Sequence, residues 1–155
     1  MFCVRSTLAR SFRIACAFLL LCSLAPTLTA FGQVKTPAPE VIELLATLQG
    51  DDLLARERAA LRLAELKPAE AVPDLRQVFL TVEGPRPAAM ALAGIGTPGA
   101  MAVLISALAD EQLSERRNAA QIALLSSGEA SVPSLLVGLQ AIKPSTRQHS
   151  AELLG

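Results

Sequence analysis

The only histidine of the chain, His149, is the first residue to consider for a catalytic or metal site. Glu152 follows it by three residues, and a helix would place both side chains on one face. A protein metal site normally needs three or four ligands. The spacing therefore predicts an exposed histidine in the last helix rather than a metal centre.

Two pairs of neighbouring carboxylates, Asp51-Asp52 and Asp110-Glu111, could bind a cation or transfer protons. Both pairs lie where a turn leads into the next helical pattern. A carboxylate in that position accepts hydrogen bonds from free N–H groups and complements the helix dipole. The position predicts helix capping.

Three arginines, Arg56, Arg117 and Arg147, recur at one position of a repeated pattern. They could form an anion-binding stripe. The guanidinium fork suits carboxylates, so we expect a structural role in which each arginine supports the neighbouring repeat. The turn acids expected to receive them are Asp51, Asp52 and Glu111.

Other catalytic patterns are missing from the sequence. Its serines have no nearby histidine to activate them, as nucleophilic catalysis would need. Gly94-x-Gly96 closes a helical pattern, whereas a phosphate loop opens one. The sequence predicts a protein that is not an enzyme, with no catalytic, cofactor-binding or metal-binding residues and no cofactor.

The amino-acid composition excludes several classes of protein. The 155 residues suffice for one domain, and a 52% hydrophobic content excludes disorder throughout. The 14 basic residues equal the 14 acidic ones, and aromatic residues make up 3%. A strongly basic nucleic-acid binder and a base-stacking site are both disfavoured.

Residues 1–32 have the pattern of a secretory signal peptide. Three arginines precede the uncharged run Ile14 to Leu24, Pro26 ends it, and the small residues Ala30 and Gly32 follow. We therefore expect a periplasmic or secreted protein, with residues 33–40 as a linker and a repeat domain over 41–155. No charge falls between Ile14 and residue 34, which leaves an uncleaved membrane anchor as an alternative.

The cysteines support export of a protein held together by packing alone. All three, Cys3, Cys16 and Cys22, lie within the signal segment, so the remainder can form no disulfide. Leu21 stands before Cys22 where a lipoprotein signal needs a small residue, which disfavours lipid attachment.

The remainder of the chain is an internal repeat with a spacing of about 29 to 32 residues. Small residues and leucines recur in fixed columns with helical spacing, which predicts two alternating sets of helices. The first set reads RERAALRLAEL (56–66), PRPAAMALAGI (85–95), RNAAQIALLSS (117–127) and RQHSAELLG (147–155). The second set reads AEAVPDLRQVFL (69–80), PGAMAVLISAL (98–108) and EASVPSLLVGL (129–139), and VIELLATL (41–48) resembles it.

Local signals predict where these helices begin. Thr97 can cap a helix that has Pro98 at its first position. Ser145 and Gln148 have the spacing of a capping box. Val-Pro recurs in the second set, and its prolines should occupy the first helical turn, which tolerates proline. These prolines are Pro73 and Pro133.

The columns resemble the HEAT-like, armadillo-like repeats of the phycobilisome-lyase type, over roughly residues 41–155. The family motif, Arg-x-x-Ala-Ala-x-Ala-Leu and then Gly, is closest at 85–96, and Arg62 replaces a small residue in the first copy. The resemblance implies an all-α, right-handed α-solenoid (an α-α superhelix) of about three and a half helix pairs. In such folds the second helices line the concave surface, here offering Glu70, Asp74, Arg76 and Ser106.

These observations favour a non-catalytic, exported scaffold for protein–protein interaction. The alternative is an accessory or regulatory subunit, or a fragment, of an exported enzyme complex. A bilin lyase is disfavoured because only Phe79 is aromatic after residue 32. Protein partners are expected, without nucleic acid or membrane binding beyond the signal. Self-association through the terminal half-repeats is a further expectation, because Leu153 and Leu154 would leave an apolar end.

Overall fold

The computed structural model describes residues 37–155, which belong to one compact unit. The predicted signal peptide lies outside the described residues, as does the first half of the predicted linker, residues 33–36. The described chain is all-helical and contains no strand. Its α-helices are α1 (Pro39–Leu48), α2 (Leu53–Leu66), α3 (Val72–Thr81), α4 (Arg86–Ile95), α5 (Pro98–Ala107), α6 (Ser114–Ser126), α7 (Val132–Gly138) and α8 (Pro144–Leu154). Short 3₁₀ turns at Ala69–Ala71 and Gly128–Ser131 precede α3 and α7.

Several helix boundaries agree with the local signals in the sequence. The Asp52 side chain caps α2 by accepting hydrogen bonds from the N–H groups of Leu54 (2.9 Å) and Ala55 (3.3 Å). Thr97 caps α5 through the N–H of Ala100 at 3.3 Å. Capping by these two residues is confirmed. Gly96 ends α4 with a φ of 68°, a backbone conformation that glycine adopts without steric cost.

The prolines account for one correct and one wrong boundary prediction. Pro73 and Pro133 lie in the first turns of α3 and α7, as expected. The capping box at Ser145 is wrong, because α8 already begins at Pro144 and Ser145 is inside the helix. Proline is favoured at a first helical position, so the N-cap lies two residues earlier, at Lys143. Gln148 instead donates a hydrogen bond to Glu152 at 2.9 Å.

The helices pack as two rows. Helices α2, α4, α6 and α8 contact one another in that order, as do α1, α3, α5 and α7. Chain neighbours also pack closely in the pairs α1–α2, α3–α4, α5–α6 and α7–α8, whereas α2–α3 and α6–α7 share little surface. The first and last described helices are therefore each packed on a chain neighbour.

Small residues allow neighbouring helices of one row, α2, α4, α6 and α8, to approach closely. The repeated column Ala59, Ala88, Ala120 and Ser150 is buried throughout. A Cβ atom added at Gly94 in α4 would overlap the Cβ of Ala64 in α2. The leucine column lies beside it in the core: Leu63, Leu92 and Leu124 are fully buried, and Leu154 is half-buried.

Candidate functional site: a groove along the second helices

The arginine column stabilises turns. Arg56 is 8% exposed, and its Nη2 donates to the carbonyl oxygen of Gly84 at 2.5 Å. Arg147 donates from Nη1 to the carbonyl oxygens of Ala141 (2.9 Å) and Ile142 (2.8 Å). The expected structural role is confirmed, but the expected acidic partners are wrong. Turns leave carbonyl groups without a helical partner, and a guanidinium can satisfy several of them.

The third member of the column makes a weaker contact than its neighbour. Arg117 Nη1 lies 3.4 Å from the carbonyl oxygen of Asp110, whereas Arg116 Nη1 lies 2.8 Å from the Asp110 carboxylate. Arg116 also donates to the carbonyl oxygen of Leu80 at 2.6 Å, which joins the turn before α6 to the end of α3. Sequence reasoning missed Arg116 because it lies beside the repeated column.

The paired acids lie in turns, as expected. Asp110 accepts a hydrogen bond from the N–H of Leu113 (3.0 Å) in addition to its ion pair with Arg116, whereas Glu111 is exposed. Capping is therefore the role of Asp52. The capping prediction is wrong for Asp110-Glu111, because Leu113 is the N-cap of α6 and Asp110 stabilises the turn before it. Residues 37–155 contain no group of three side chains placed to hold a metal ion.

His149 is half-buried, so the expectation of an exposed residue is wrong. Its Nδ1 lies 2.9 Å from Glu152 Oε2 and 3.4 Å from the amide nitrogen of Gln121 in α6. Packing between α6 and α8 therefore covers part of the ring. Hydrogen bonds from Gln148 and His149 lower the pKa of Glu152 below its ordinary value. This arrangement is a hydrogen-bonded histidine–carboxylate pair at a helix surface.

An apolar groove of about 800 Å³ lies between α5 and α7. Ile105 and Pro98 of α5 form one side, and Val137 of α7 forms the other. Ile142 and Lys143, in the turn before α8, line one end. Val137 is 71% exposed and Ile142 is 96% exposed. An aliphatic side chain that exposed gains free energy from any apolar partner that covers it.

A second groove, of about 530 Å³, adjoins the first and is more polar. The two grooves share Ser106 and Lys143, and the second adds Arg76, Asp110 and Glu111. Arg76 and Lys143 are both exposed, whereas the Asp110 carboxylate is already paired with Arg116. The combined surface therefore offers an apolar strip beside a polar groove that exposes Arg76, Lys143 and the carboxylate of Glu111.

The four side chains expected on the concave surface do not all line one groove. Arg76 and Ser106 line the polar groove together. Asp74 lines a separate pocket beside α1, and Glu70 lines neither groove. The residues that sequence reasoning missed are Val137 and Ile142, whose exposure depends on packing between repeats. Hydrophobicity alone gives no signal that separates them from core residues.

Comparisons with known proteins add no functional assignment. No protein-family model matches the chain, and a search of curated proteins found no similar sequence. Among residues 37–155, no helix is both long enough and apolar enough to cross a bilayer.

Proposed function

We propose that this protein is a non-catalytic scaffold for protein–protein interaction, exported to the periplasm or the cell exterior. The observation that carries the proposal is the apolar groove between α5 and α7, with Val137 and Ile142 exposed at its side and end. Monomeric soluble proteins seldom leave such apolar surface in contact with water unless a partner covers it. The groove is open along its length, which favours a polypeptide segment as its occupant.

The two-row packing supports a right-handed solenoid of HEAT-like repeats as the architecture. Each helix contacts both its chain neighbour and the equivalent helix of the next repeat. This nearest-neighbour pattern is the one that repeat proteins use to bury a continuous core. A solenoid places its second helices along one extended surface, which is where both grooves lie.

The groove also indicates the chemistry of the partner. Covering a fully exposed aliphatic side chain such as Ile142 contributes about 1.5–3 kcal/mol. Lys143 and Arg76 lie beside the apolar strip. A partner segment with aliphatic side chains next to a carboxylate would satisfy both features. Association of this kind requires no metal or cofactor.

Paired charge substitutions test the proposal. Val137→Glu places a carboxylate in the groove, and Leu61→Glu places one on α2, outside it, at a residue that is 62% exposed. We expect wild-type and Leu61→Glu protein, isolated from the cell envelope, to retain the same stoichiometric partner. Val137→Glu should lose that partner while keeping its helical circular-dichroism spectrum. Retention of the partner by both variants, or recovery of none by the wild type, would overturn the proposal.

The identity of the captured partner separates the scaffold from the alternative role. A partner with its own catalytic domain would make this chain an accessory or regulatory subunit of an exported enzyme. A non-catalytic partner would support the scaffold role.

A further inference from the structure

Charged side chains lie on the outer side of α2, at the N-terminal end of the described helices. Arg62 Nε lies 2.9 Å from Glu40 Oε1, and Arg62 Nη1 lies 3.1 Å from Glu65 Oε2. Ala64 of α2 meets Gly94 of α4, and helical periodicity places Arg62 on the side of α2 that faces away from α4. The unusual arginine of the first repeat thus links α1 to α2 through a charged network on the outer side of α2.

At the other end of the described rows, aliphatic side chains are exposed at positions that are buried one repeat earlier. Three buried positions in α5 and directly after it recur 31 residues later, in α7 and directly after it, as exposed aliphatic residues. Met101, Ile105 and Leu108 are 1%, 9% and 1% exposed, and their equivalents Val132, Leu136 and Leu139 are 38%, 51% and 36% exposed. Together with the half-buried Leu154, Val132, Leu136 and Leu139 form what we call the C-terminal face. Its aliphatic composition matches that of the buried interfaces between the repeats.

We propose that a second copy of this chain covers the C-terminal face, so that the protein forms a twofold tail-to-tail dimer. A head-to-tail stack would press these aliphatic side chains against the charged network around Arg62, and burying those charges without new partners is costly. Contact between two C-terminal faces matches apolar surface with apolar surface. A twofold axis also closes the assembly, whereas head-to-tail contacts extend into fibres.

Charges at the two ends of the face fit the same arrangement. Glu129 is exposed in the turn before α7, and Arg147 is exposed in the first turn of α8. If the helices of the two copies run antiparallel, Glu129 of each copy faces Arg147 of the other. Such pairs favour one orientation of the dimer over others.

Sedimentation velocity of the full chain tests the dimer, with Leu136→Glu as the disrupting variant and Leu61→Glu as the matched control. We expect wild type and Leu61→Glu to sediment as dimers, at twice the mass of their own purified chain. Leu136→Glu should sediment as a monomer with an unchanged circular-dichroism spectrum. A monomeric wild type, or a dimer that survives Leu136→Glu, would overturn the proposal; survival would place the contact elsewhere in the chain.

A charge reversal that leaves the apolar core intact provides a second readout. Glu129→Arg should weaken the dimer by about two- to twentyfold, because the twofold axis removes two exposed ion pairs at once. Glu57→Arg, at an exposed position of α2, should leave the dimerisation constant unchanged. Equal effects of the two reversals would contradict the antiparallel arrangement. The groove variant Val137→Glu should remain dimeric, so the dimer and the proposed function can fail separately.

Discussion

Gly94→Ala tests the close packing of α2 against α4. The added Cβ would overlap the Cβ of Ala64 and lie 3.0 Å from its Cα. Neither atom can rotate away, so the two helices must separate. Overpacking of this kind costs about 1–3 kcal/mol, and the gain in helix propensity offsets up to about 1 kcal/mol. We expect a net loss of about 1–2 kcal/mol in the free energy of unfolding, measured by urea denaturation followed at 222 nm.

Two further variants separate the steric overlap at Gly94 from the higher helix propensity of alanine. Ala64→Gly in the Gly94→Ala background exchanges the small residue between the helices, and it should restore a stability close to that of the wild type. Gly99→Ala adds a Cβ whose nearest contact, Val72 Cγ1, is an ordinary 3.9 Å away. It should be neutral or stabilise the protein by up to about 1 kcal/mol. A neutral or stabilising Gly94→Ala would refute the close approach of these helices.

Three smaller predictions concern capping, a bridging ion pair and pH. Asp52→Ala removes the cap of α2 and should cost about 1 kcal/mol in thermal unfolding. Arg116→Met leaves the largely buried Asp110 carboxylate without its partner and should cost about 1–3 kcal/mol in urea denaturation. Because the Glu152 pKa is lowered in the folded state, its contribution to stability is present above its unfolded pKa and is lost as pH falls through the folded pKa. NMR titration should show that low pKa, and Gln148→Ala should raise it.

Matched variants control these three measurements. Asp51→Ala removes a carboxylate next to the cap and should leave stability nearly unchanged, in contrast to Asp52→Ala. Arg117→Met should cost less than Arg116→Met because its contact with the carbonyl oxygen of Asp110 is longer, at 3.4 Å. Equal losses within either pair would contradict the assigned contacts. A Glu152 pKa unchanged by Gln148→Ala would contradict the hydrogen bond as its main cause.

Local signals in the sequence were sufficient to predict that the fold is all-helical and where several helices begin. Asp52 and Thr97 were recognisable as caps because a cap acts on N–H groups two or three residues away. Pro73 and Pro133 were placed correctly because proline restricts its own φ and removes its own donor. The wrong prediction at Ser145 also concerns local signals. Ser145 as a cap and Pro144 as a first helical residue both mark a helix start, and the helix begins at Pro144.

Contacts between distant segments could not be predicted in this way. Arg116 reaches the carbonyl oxygen of Leu80 across 36 residues, and Arg62 reaches Glu40 across 22. Their partners depend on how successive helices stack. The groove could not be predicted for the same reason. Val137 and Ile142 have the hydrophobicity of core residues, and their exposure depends on how α5 and α7 pack. Repeat columns indicate which residues are equivalent, but equivalence does not determine burial at the end of an array, as Leu139 shows.

Site-specific photocrosslinking in the native cell envelope tests the proposed binding groove most directly. A photoreactive residue at Ile142 lies at the end of the groove, and the same residue at Leu61 reports the surface of α2 outside it. We expect the photoreactive residue at Ile142 to crosslink to one discrete partner. The same residue at Leu61 should not crosslink to that partner, and Val137→Glu should abolish the crosslink from Ile142. Equal crosslinking from both positions, or none from Ile142, would contradict a partner-binding groove along the second helices.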